Sequence, residues 1–288
     1  MTKVFLDYTQ KALDDAYDQA VYAPNRDQVL KRLAATSELV RQRIGNPEIF
    51  SYGSSAIEKV HVYKSKTPNA PVNVFIHGGA WRAGLARNYA FPAEVLVNAG
   101  AHFVALDFDN VIDAGGSLFV MADQVRRAIA WTYKNSSLFG GDSNRFYVSG
   151  TSSGAHLGGV CAATDWKKDF GLPADAVKGY VLCSGMYDLR GPRLSKRSSY
   201  VKFTDEMERS LSPQRHLESI AAPIVLLYGS LETPEFQRQS REFATALEQA
   251  EKPVELLVAE GHNHFEIAET LGNPYGPVGR AVLRQMGL

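Results

Sequence analysis

The sequence has few cysteines, no net charge and no long apolar run. Its 288 residues include two cysteines, Cys161 and Cys183, and 31 basic and 31 acidic side chains that balance to a formal net charge of zero. So few cysteines exclude a disulfide-rich scaffold, and both lie in apolar stretches where buried free thiols are expected. Balanced charge removes the field that would attract nucleic acid or an anionic membrane. We therefore expect a small-molecule partner, and no nucleic-acid or membrane partner.

Targeting signals are also lacking. Residues 1–8 contain no continuous apolar stretch and no small-residue cleavage site. No segment of the chain approaches the ~20 apolar residues that a membrane-spanning helix requires. These absences predict a cytoplasmic protein.

Motifs for metals and phosphates are missing as well. His262 and His264 are close in sequence, but no H-E-x-x-H motif, cysteine pair or carboxylate cluster accompanies them at a ligand spacing. Gly140 and Gly141 lack the lysine and the spacing of a phosphate-binding loop and are better explained as a turn. We expect neither a metal nor a cofactor.

Apolar runs alternate with segments of helical periodicity along most of the chain. Strands are predicted near 49–64, 72–76, 102–107, 145–149, 178–184, 223–229 and 253–259. This alternation predicts an α/β fold with a mostly parallel central sheet and helices on both faces. The length is compatible with a single domain over residues 1–288.

Two segments lie outside this alternation. Helices predicted over 7–18 and 26–43, with a break at Ala23-Pro24-Asn25, form an N-terminal helical arm over residues 1–45. The arm either covers the mouth of an active site or simply packs on the domain. Residues 190–215, rich in Arg, Lys and Ser, lack sheet character and lie where a lid-like excursion is expected.

The strongest functional signal is G-x-S-x-G, which follows the apolar run at 145–149. In Gly150-Thr151-Ser152-Ser153-Gly154 it is typical of a nucleophile elbow of the α/β-hydrolase fold, with Ser152 exposed on a strained turn. Glycines at 150 and 154 are needed because neighbouring backbone comes too close for side chains there. Taken alone, the motif also fits an ordinary turn from strand to helix.

A second motif, His77-Gly78-Gly79-Ala80-Trp81, follows the strand at 72–76. In many hydrolases this loop supplies backbone N–H groups to an oxyanion hole. We predict Gly78, Gly79 and Ser153 as donors, each contributing about 3–4 kcal/mol to transition-state stabilisation.

A serine hydroxyl needs a histidine base, and the histidine needs an orienting carboxylate, in the chain order Ser, acid, His. Glu232, just past the strand at 223–229, is the predicted acid, and His264, past the strand at 253–259, is the predicted base. Glu235 better fits the first turn of a helix. Asp188 is the rival acid and His262 the reserve base.

Other residues near these loops are candidates for lining a substrate pocket. Trp81 and Tyr187 are predicted as walls for an aromatic substrate, although both could instead be core residues. His156, one helical turn after Ser152, is better explained as a packing residue than as a second base. The basic segment Lys196-Arg197-Ser198-Ser199-Tyr200 either binds a substrate carboxylate or is simply solvated.

At these positions the sequence resembles the arylformamidase (kynurenine formamidase) branch of the α/β-hydrolases. The resemblance rests on H-G-G-A-W at 77–81, G-T-S-S-G-A-H-L at 150–157, S-G-M-Y-D-L at 184–189, T-P-E-F-Q-R-Q-S-R-E-F at 233–243 and N-H-F at 263–265. It implies Ser152, Glu232 and His264 as a triad. Glu232 departs from the family, where aspartate is usual, and Arg82-Ala83-Gly84 departs from the eukaryotic loops.

The resemblance also implies an activity: hydrolysis of an aryl formamide such as N-formylkynurenine through an acyl-enzyme. A carboxylesterase or N-acyl arylamidase with the same triad is the first alternative, and a non-catalytic hydrolase-fold binding protein is a second. Homodimers are common in this fold, so a dimer is compatible with the sequence.

Overall fold

A computed structural model of the chain describes residues 2–288. One eight-stranded sheet runs through it, in the order β1-β2-β4-β3-β5-β6-β7-β8. The strands are β1 Glu48–Ser51, β2 Lys59–Tyr63, β3 Ala70–Ile76, β4 His102–Leu106, β5 Gly141–Thr151, β6 Tyr180–Cys183, β7 Ile224–Gly229 and β8 Val254–Ala259. Each lies at or within a few residues of a predicted strand, so the alternation in the sequence identified the sheet correctly.

Strand β2 pairs antiparallel with β1 and β4, and β4, β3, β5, β6, β7 and β8 pair in parallel. Parallel strands end at one edge of the sheet, and in open α/β sheets ligands bind at that edge. The loops after β3, β5, β6, β7 and β8 therefore meet there.

Twelve helices surround the sheet. They are α1 Gln10–Ala16, α2 Gln19–Tyr22, α3 Arg26–Ile44, α4 Ala93–Asn98, α5 Leu118–Lys134, α6 Ser153–Ala162, α7 Trp166–Phe170, α8 Arg190–Leu194, α9 Asp205–Ser210, α10 Pro234–Gln249, α11 His264–Glu269 and α12 Pro277–Gln285 within residues 2–288.

Alternate residues of the central strands enter two separate cores. Leu182 and Leu226 belong to one apolar cluster, and their neighbours Val181 and Val225 belong to the other. Because side chains alternate across a strand, this pattern requires helices on both faces of the sheet. The predicted α/β class is confirmed.

The N-terminal arm differs from the prediction in one respect. Residues 7–18 do not form one helix: α1 ends at Ala16, and Asp18 accepts a hydrogen bond from the N–H of Ala20, which caps α2. An aspartate favours such a cap over a helix interior because its carboxylate competes for backbone N–H groups. The arm therefore bends here, and this bend aims Gln19 into the protein.

The excursion at 190–215 consists of α8, α9 and short 3-10 turns. Both cysteines are buried free thiols, as predicted. No helix within residues 2–288 combines the length and the apolar character needed to cross a bilayer.

Candidate active site

Ser152 lies between β5 and α6 with φ 56° and ψ −125°, a left-handed region that non-glycine residues rarely adopt. The flanking glycines make this turn possible. A Cβ at Gly150 would lie 2.6 Å from the carbonyl oxygen of Gly154, and a Cβ at Gly154 would lie 2.1 Å from that of Ile76. The predicted need for glycine at both positions is confirmed.

The predicted triad residues meet at the carboxyl edge of the sheet. His264 Nε2 lies 2.8 Å from Ser152 Oγ, and His264 Nδ1 lies 2.8 Å from Glu232 Oε2. In this arrangement Nδ1 donates to the carboxylate, which leaves Nε2 as the acceptor for the serine proton. In this geometry His264 Nε2 can take the proton of Ser152, while Glu232 orients the imidazole through Nδ1.

Glu232 is 2% exposed, and its carboxylate is held by three further donors. Oε1 accepts from Ser184 Oγ at 2.5 Å and from the N–H of Gly229 at 2.8 Å, and Oε2 accepts from Gln19 Nε2 at 3.3 Å. A buried carboxylate with this many hydrogen-bond donors is fixed in direction. The extra methylene of glutamate thus still brings Oε2 to the histidine.

Sequence reasoning missed Ser184 and Gln19 as partners of the acid. Ser184 adopts φ 59° directly after β6, and this conformation turns its hydroxyl towards Glu232. Its position at the carboxyl end of a central strand was a usable signal. Gln19 lies 213 residues from Glu232, and no signal in the sequence pointed to this contact.

The rival residues lie elsewhere. Asp188 pairs with Arg215 at 3.0 Å, and His262 Nδ1 contacts the carbonyl of its near neighbour Glu260 at 2.8 Å. Glu235 lies in the first turn of α10 as predicted, where it is fully buried and pairs with Arg238 at 2.7 Å. None of the three has a hydrogen bond to Ser152 or His264 among the described residues.

The loop after β3 brings backbone against the nucleophile. A Cβ at Gly78 would lie 2.9 Å from Ser152 Cβ, and Gly79 has φ 125° with no room for a Cβ, since Ala83 O would be 1.9 Å away. Within residues 2–288, the N–H groups of Gly78, Gly79 and Ser153 have no internal acceptor. Unpaired N–H groups beside a nucleophile suit a developing oxyanion.

His77 holds this loop in place. Its ring stacks on Phe108 at 4.4 Å and on Tyr89 at 5.2 Å, and its Nδ1 lies 2.8 Å from the carbonyl of Gly78. Burial lowers the pKa of His77, so the ring is neutral and Nδ1–H donates to that carbonyl. The peptide between residues 78 and 79 is thereby oriented.

A cavity of about 10 Å³ adjoins the same backbone. Gly78, Trp81 and Ser153 contribute to its lining, together with Phe108 and Met121. This is the room that about one water molecule occupies. The space next to the candidate oxyanion donors is therefore small.

Trp81 lines that cavity but is only 1% exposed, and its Nε1–H donates to His156 Nδ1 at 3.1 Å. His156 Nε2–H donates in turn to the carbonyl of Leu211 at 2.8 Å. Burial lowers the pKa of His156 to about 4, so this ring is neutral. His156 is a packing residue, as predicted, and it links the oxyanion loop to the 190–215 excursion.

Tyr187 does not reach the pocket, which corrects the prediction of a substrate wall at this position. It is fully buried, its ring stacks on Phe243 at 4.4 Å, and its hydroxyl lies 3.5 Å from the carbonyl of Leu182. The chain turns inward after Gly185, where a Cβ would strike the Tyr187 ring at 2.5 Å. Aromatic neighbours of the triad are instead Phe236 and Phe265, whose rings lie edge-on to His264 at 4.9 Å and 5.4 Å.

The N-terminal arm contacts the histidine loop as well as the acid. Asn263 caps α11 in a capping box with Glu266, which fixes His264 at the first helical position. Asn25 Oδ1 accepts from Asn263 Nδ2 at 2.8 Å, and Asn25 Nδ2 donates to Glu266 Oε1 at 2.6 Å. The arm thus packs on the domain and supports both partners of Ser152.

For metal ions, residues 2–288 contain no group of three or more His, Cys, Asp or Glu side chains arranged to hold one.

Comparison with known proteins groups this chain with hydrolases. The BD-FAE family matches residues 59–184. Kynurenine formamidases of Danio rerio and Salmo salar are 31% and 33% identical to the chain over 243 and 248 residues, and each alignment covers 82% of the chain and 80% of the relative. The solved structure of esterase LipW from Mycobacterium marinum has a TM-score of 0.72 at 17% identity, over 94% of this chain and 89% of that one. The structural likeness shows the α/β-hydrolase fold.

Proposed function

We propose a function from the premise that this chain belongs to the kynurenine formamidase family of α/β-hydrolases. The proposed function is removal of the formyl group from an aryl formamide of the N-formylkynurenine type through an acyl-enzyme. Membership of this family makes the chain a hydrolase of carboxylic amide or ester bonds. The observation that carries the finer proposal is the contact path from Glu232 through His264 to Ser152, with both distances at 2.8 Å.

The first half of the proposed reaction forms a formyl ester on the enzyme. Ser152 Oγ attacks the formyl carbon while His264 Nε2 takes the hydroxyl proton, and the carbonyl oxygen becomes an oxyanion. The N–H groups of Gly78, Gly79 and Ser153 donate to that oxyanion. The C–N bond then breaks, and His264 gives its proton to the departing arylamine.

The second half releases formate. Water attacks the formyl ester while His264 Nε2 takes one of its protons, and a second oxyanion forms in the same place. The bond between the formyl carbon and Ser152 Oγ breaks, and His264 returns the proton to Oγ. Glu232 stabilises the imidazolium in both halves by accepting from Nδ1–H.

The small cavity favours a formyl group over larger acyl groups. Its volume of about 10 Å³ lies beside Gly78 and Ser153, so an acetyl or butyryl chain has little room next to the candidate oxyanion donors. A formyl group carries only hydrogen there. The arylamine lies on the other side of the scissile bond and needs the open side of the site.

The test measures formate release from N-formylkynurenine beside phenolate release from p-nitrophenyl acetate and butyrate. We expect fast deformylation, weak butyrate cleavage, and loss of about 10⁴-fold or more in kcat for Ser152→Ala. Ser137→Ala, at an exposed serine before β5, is the matched control and should retain full activity.

Two results would contradict the proposed formamidase function and favour another one. Efficient ester cleavage without deformylation would make the chain an esterase that uses the same triad. If a fluorophosphonate probe labels neither wild type nor Ser152→Ala, the result would favour a binding protein without catalytic activity.

A further inference from the structure

Arg197 is a buried cation without a carboxylate partner. It lies on the turn Lys196–Ser199 in the 190–215 excursion and is only 5% exposed. Its Nη1 donates to Tyr200 Oη at 2.9 Å, its Nη2 donates to the carbonyl of Tyr17 at 3.1 Å, and its Nε is buried without any acceptor. Buried charges normally pair with an opposite charge, because removing an ion from water costs several kcal/mol.

Arginines that are more exposed than Arg197 differ in their partners, since Arg126 bonds to Thr164 Oγ1 and several others bind carboxylates. Four of them pair with carboxylates: Arg127 pairs with Glu58, Arg193 with Glu208, Arg215 with Asp188 and Glu208, and Arg238 with Glu235. Within residues 2–288, Arg197 forms no such ion pair. Arg197 is distinguished by lacking an ion pair although it is far more buried than these other arginines.

The position is next to the candidate active site. The Arg197 guanidinium carbon lies 5.3 Å from the centroid of the Trp81 ring, 5.9 Å from that of Phe236 and 6.0 Å from that of Tyr17. Trp81 belongs to the oxyanion loop, and Phe236 contacts His264. Three aromatic rings thus hold the cation between the two sides of Ser152 through cation–π attraction.

The guanidinium keeps unused donors. Arginine has five N–H groups and Arg197 uses two, so three remain, including Nε–H. Nε–H together with one Nη–H forms the parallel pair that binds a carboxylate in a bidentate manner. Neither Tyr200 nor the carbonyl of Tyr17 neutralises the charge, and Asp18, which acts on Arg197 from beyond salt-bridge distance, is paired with Lys196.

We propose that Arg197 binds a carboxylate on the amine portion of the substrate, so that the enzyme selects aromatic formamides that carry a carboxylate over those that lack one. This inference rests on the proposed function for its substrate, whereas the anion site itself rests on the unpaired buried guanidinium. Because Nε is covered, the turn at Lys196–Ser199 has to open for the carboxylate to enter. That turn is fastened to the arm by the ion pair of Lys196 with Asp18.

The kinetic test compares N-formylkynurenine with its carboxamide, which has nearly the same shape and keeps the α-amino group but lacks the carboxylate charge. We expect wild type to prefer the acid by about 10–100-fold in kcat/KM, the effect of one charge-assisted pair. Arg197→Gln should bring that ratio close to one by raising KM for the acid alone, and Arg197→Lys should restore part of it. Lys202→Gln removes the same charge from an exposed residue of the same excursion, away from the ion pair between Lys196 and Asp18, and should keep the wild-type ratio.

An equal loss of activity on both substrates in Arg197→Gln would overturn the proposal. That result is expected if Arg197 only holds the 190–215 excursion against the N-terminal arm. An unchanged ratio in that variant would also overturn it. Thermal unfolding of each variant identifies any that fail to fold, and in that case the partial rescue by Arg197→Lys decides.

A binding test separates this inference from the proposed function. Calorimetry on Ser152→Ala compares 2-aminobenzoate with 2-aminobenzamide, and binding of the acid should weaken by about 10-fold or more when Arg197→Gln is added. If wild type deformylates both formamides at equal rates, the proposed function stands and the anion site fails. If no formamide is cleaved but 2-aminobenzoate binds in an Arg197-dependent way, the anion site stands and the proposed function fails.

Discussion

The two sides of the candidate site are built by different means. The elbow side, residues 77–84 and 150–154, is shaped by backbone packed against backbone, with glycines where a Cβ would come within 3 Å of a neighbouring atom. The acid–histidine side, Glu232 and His264 with their neighbours, is held by side chains that come from the far N-terminal arm. The first is specified by short motifs, and the second depends on long-range contacts.

Changing the acid should have the largest effect on the acid–histidine side. Glu232→Gln leaves a neutral side chain that no longer stabilises the imidazolium of His264, and its NH₂ group can impose the wrong tautomer. We expect kcat to fall by about 10³–10⁴-fold with the fold retained. Steady-state deformylation and circular dichroism measure the two quantities.

Asp188→Ala is the matched control for Glu232→Gln, since Asp188 pairs with Arg215 and not with His264. It should keep near-normal kcat. Loss of turnover in Asp188→Ala with activity spared in Glu232→Gln would reverse the assignment of the acid.

On the elbow side, the addition of a single methyl group should lower the free energy of unfolding. Gly154→Ala places a Cβ 2.1 Å from the carbonyl of Ile76, and backbone on both sides prevents relaxation. We expect the free energy of unfolding to drop by about 3 kcal/mol or more, measured by urea denaturation. In Gly158→Ala the nearest atom is the flexible end of Leu182, so a clearly smaller loss is expected.

His156, on the helix α6 that follows the elbow side, should make the stability of the protein depend on pH. Burial lowers its pKa from 6.5 to about 4 in the folded protein. Between these values the unfolded chain binds a proton that the folded chain excludes, so stability is unaffected above pH 6.5 and falls as the pH decreases towards 4. The shift corresponds to about 3 kcal/mol at full protonation.

His156→Gln tests this origin. Glutamine can accept from Trp81 and donate to Leu211 without titrating, so urea denaturation from pH 7 to pH 4 should show a shallower decline than in wild type. Identical slopes in the two proteins would assign the pH dependence to other groups.

The smallest effect is expected from the arm. Asn25→Ala removes two hydrogen bonds, to Asn263 and Glu266, which support the capping box beneath His264. We expect kcat to fall by about 2–10-fold and stability by about 1 kcal/mol. Arg32→Ala removes an exposed ion pair between the same arm and Glu269 and should leave kcat unchanged.

The comparison also explains what the sequence could reveal. The strands, the turn at Ser152 and the glycines at 150 and 154 were predicted correctly, because steric requirements over a few residues leave a recognisable pattern. The choice of Glu232 and His264 followed from their places after β7 and β8, and the structure brings both to Ser152. Their chemical roles stay predictions for the variants above.

What sequence reasoning missed lies in contacts between distant segments. Gln19 and Asn25 meet their partners across 213 and 238 residues, and nothing near them in the chain marks such a contact. Tyr187 was wrongly assigned to the pocket because its position after a strand does not determine which way its ring turns. The contacts with Phe243 that bury it are likewise long-range.

The bend between α1 and α2 has a consequence for how the protein is made. On the ribosome Gln19 and Asn25 emerge first, and their partners Glu232 and Glu266 are added 213 and 241 residues later. At 5–20 residues per second that is a wait of roughly 10–50 s. A nascent chain interrupted before residue 232 therefore carries Ser152 and its glycine turn without the acid or the histidine, and Gln19 and Asn25 lack these partners. The candidate site is complete only when the last strand, β8, and the start of α11 with His264 have been added.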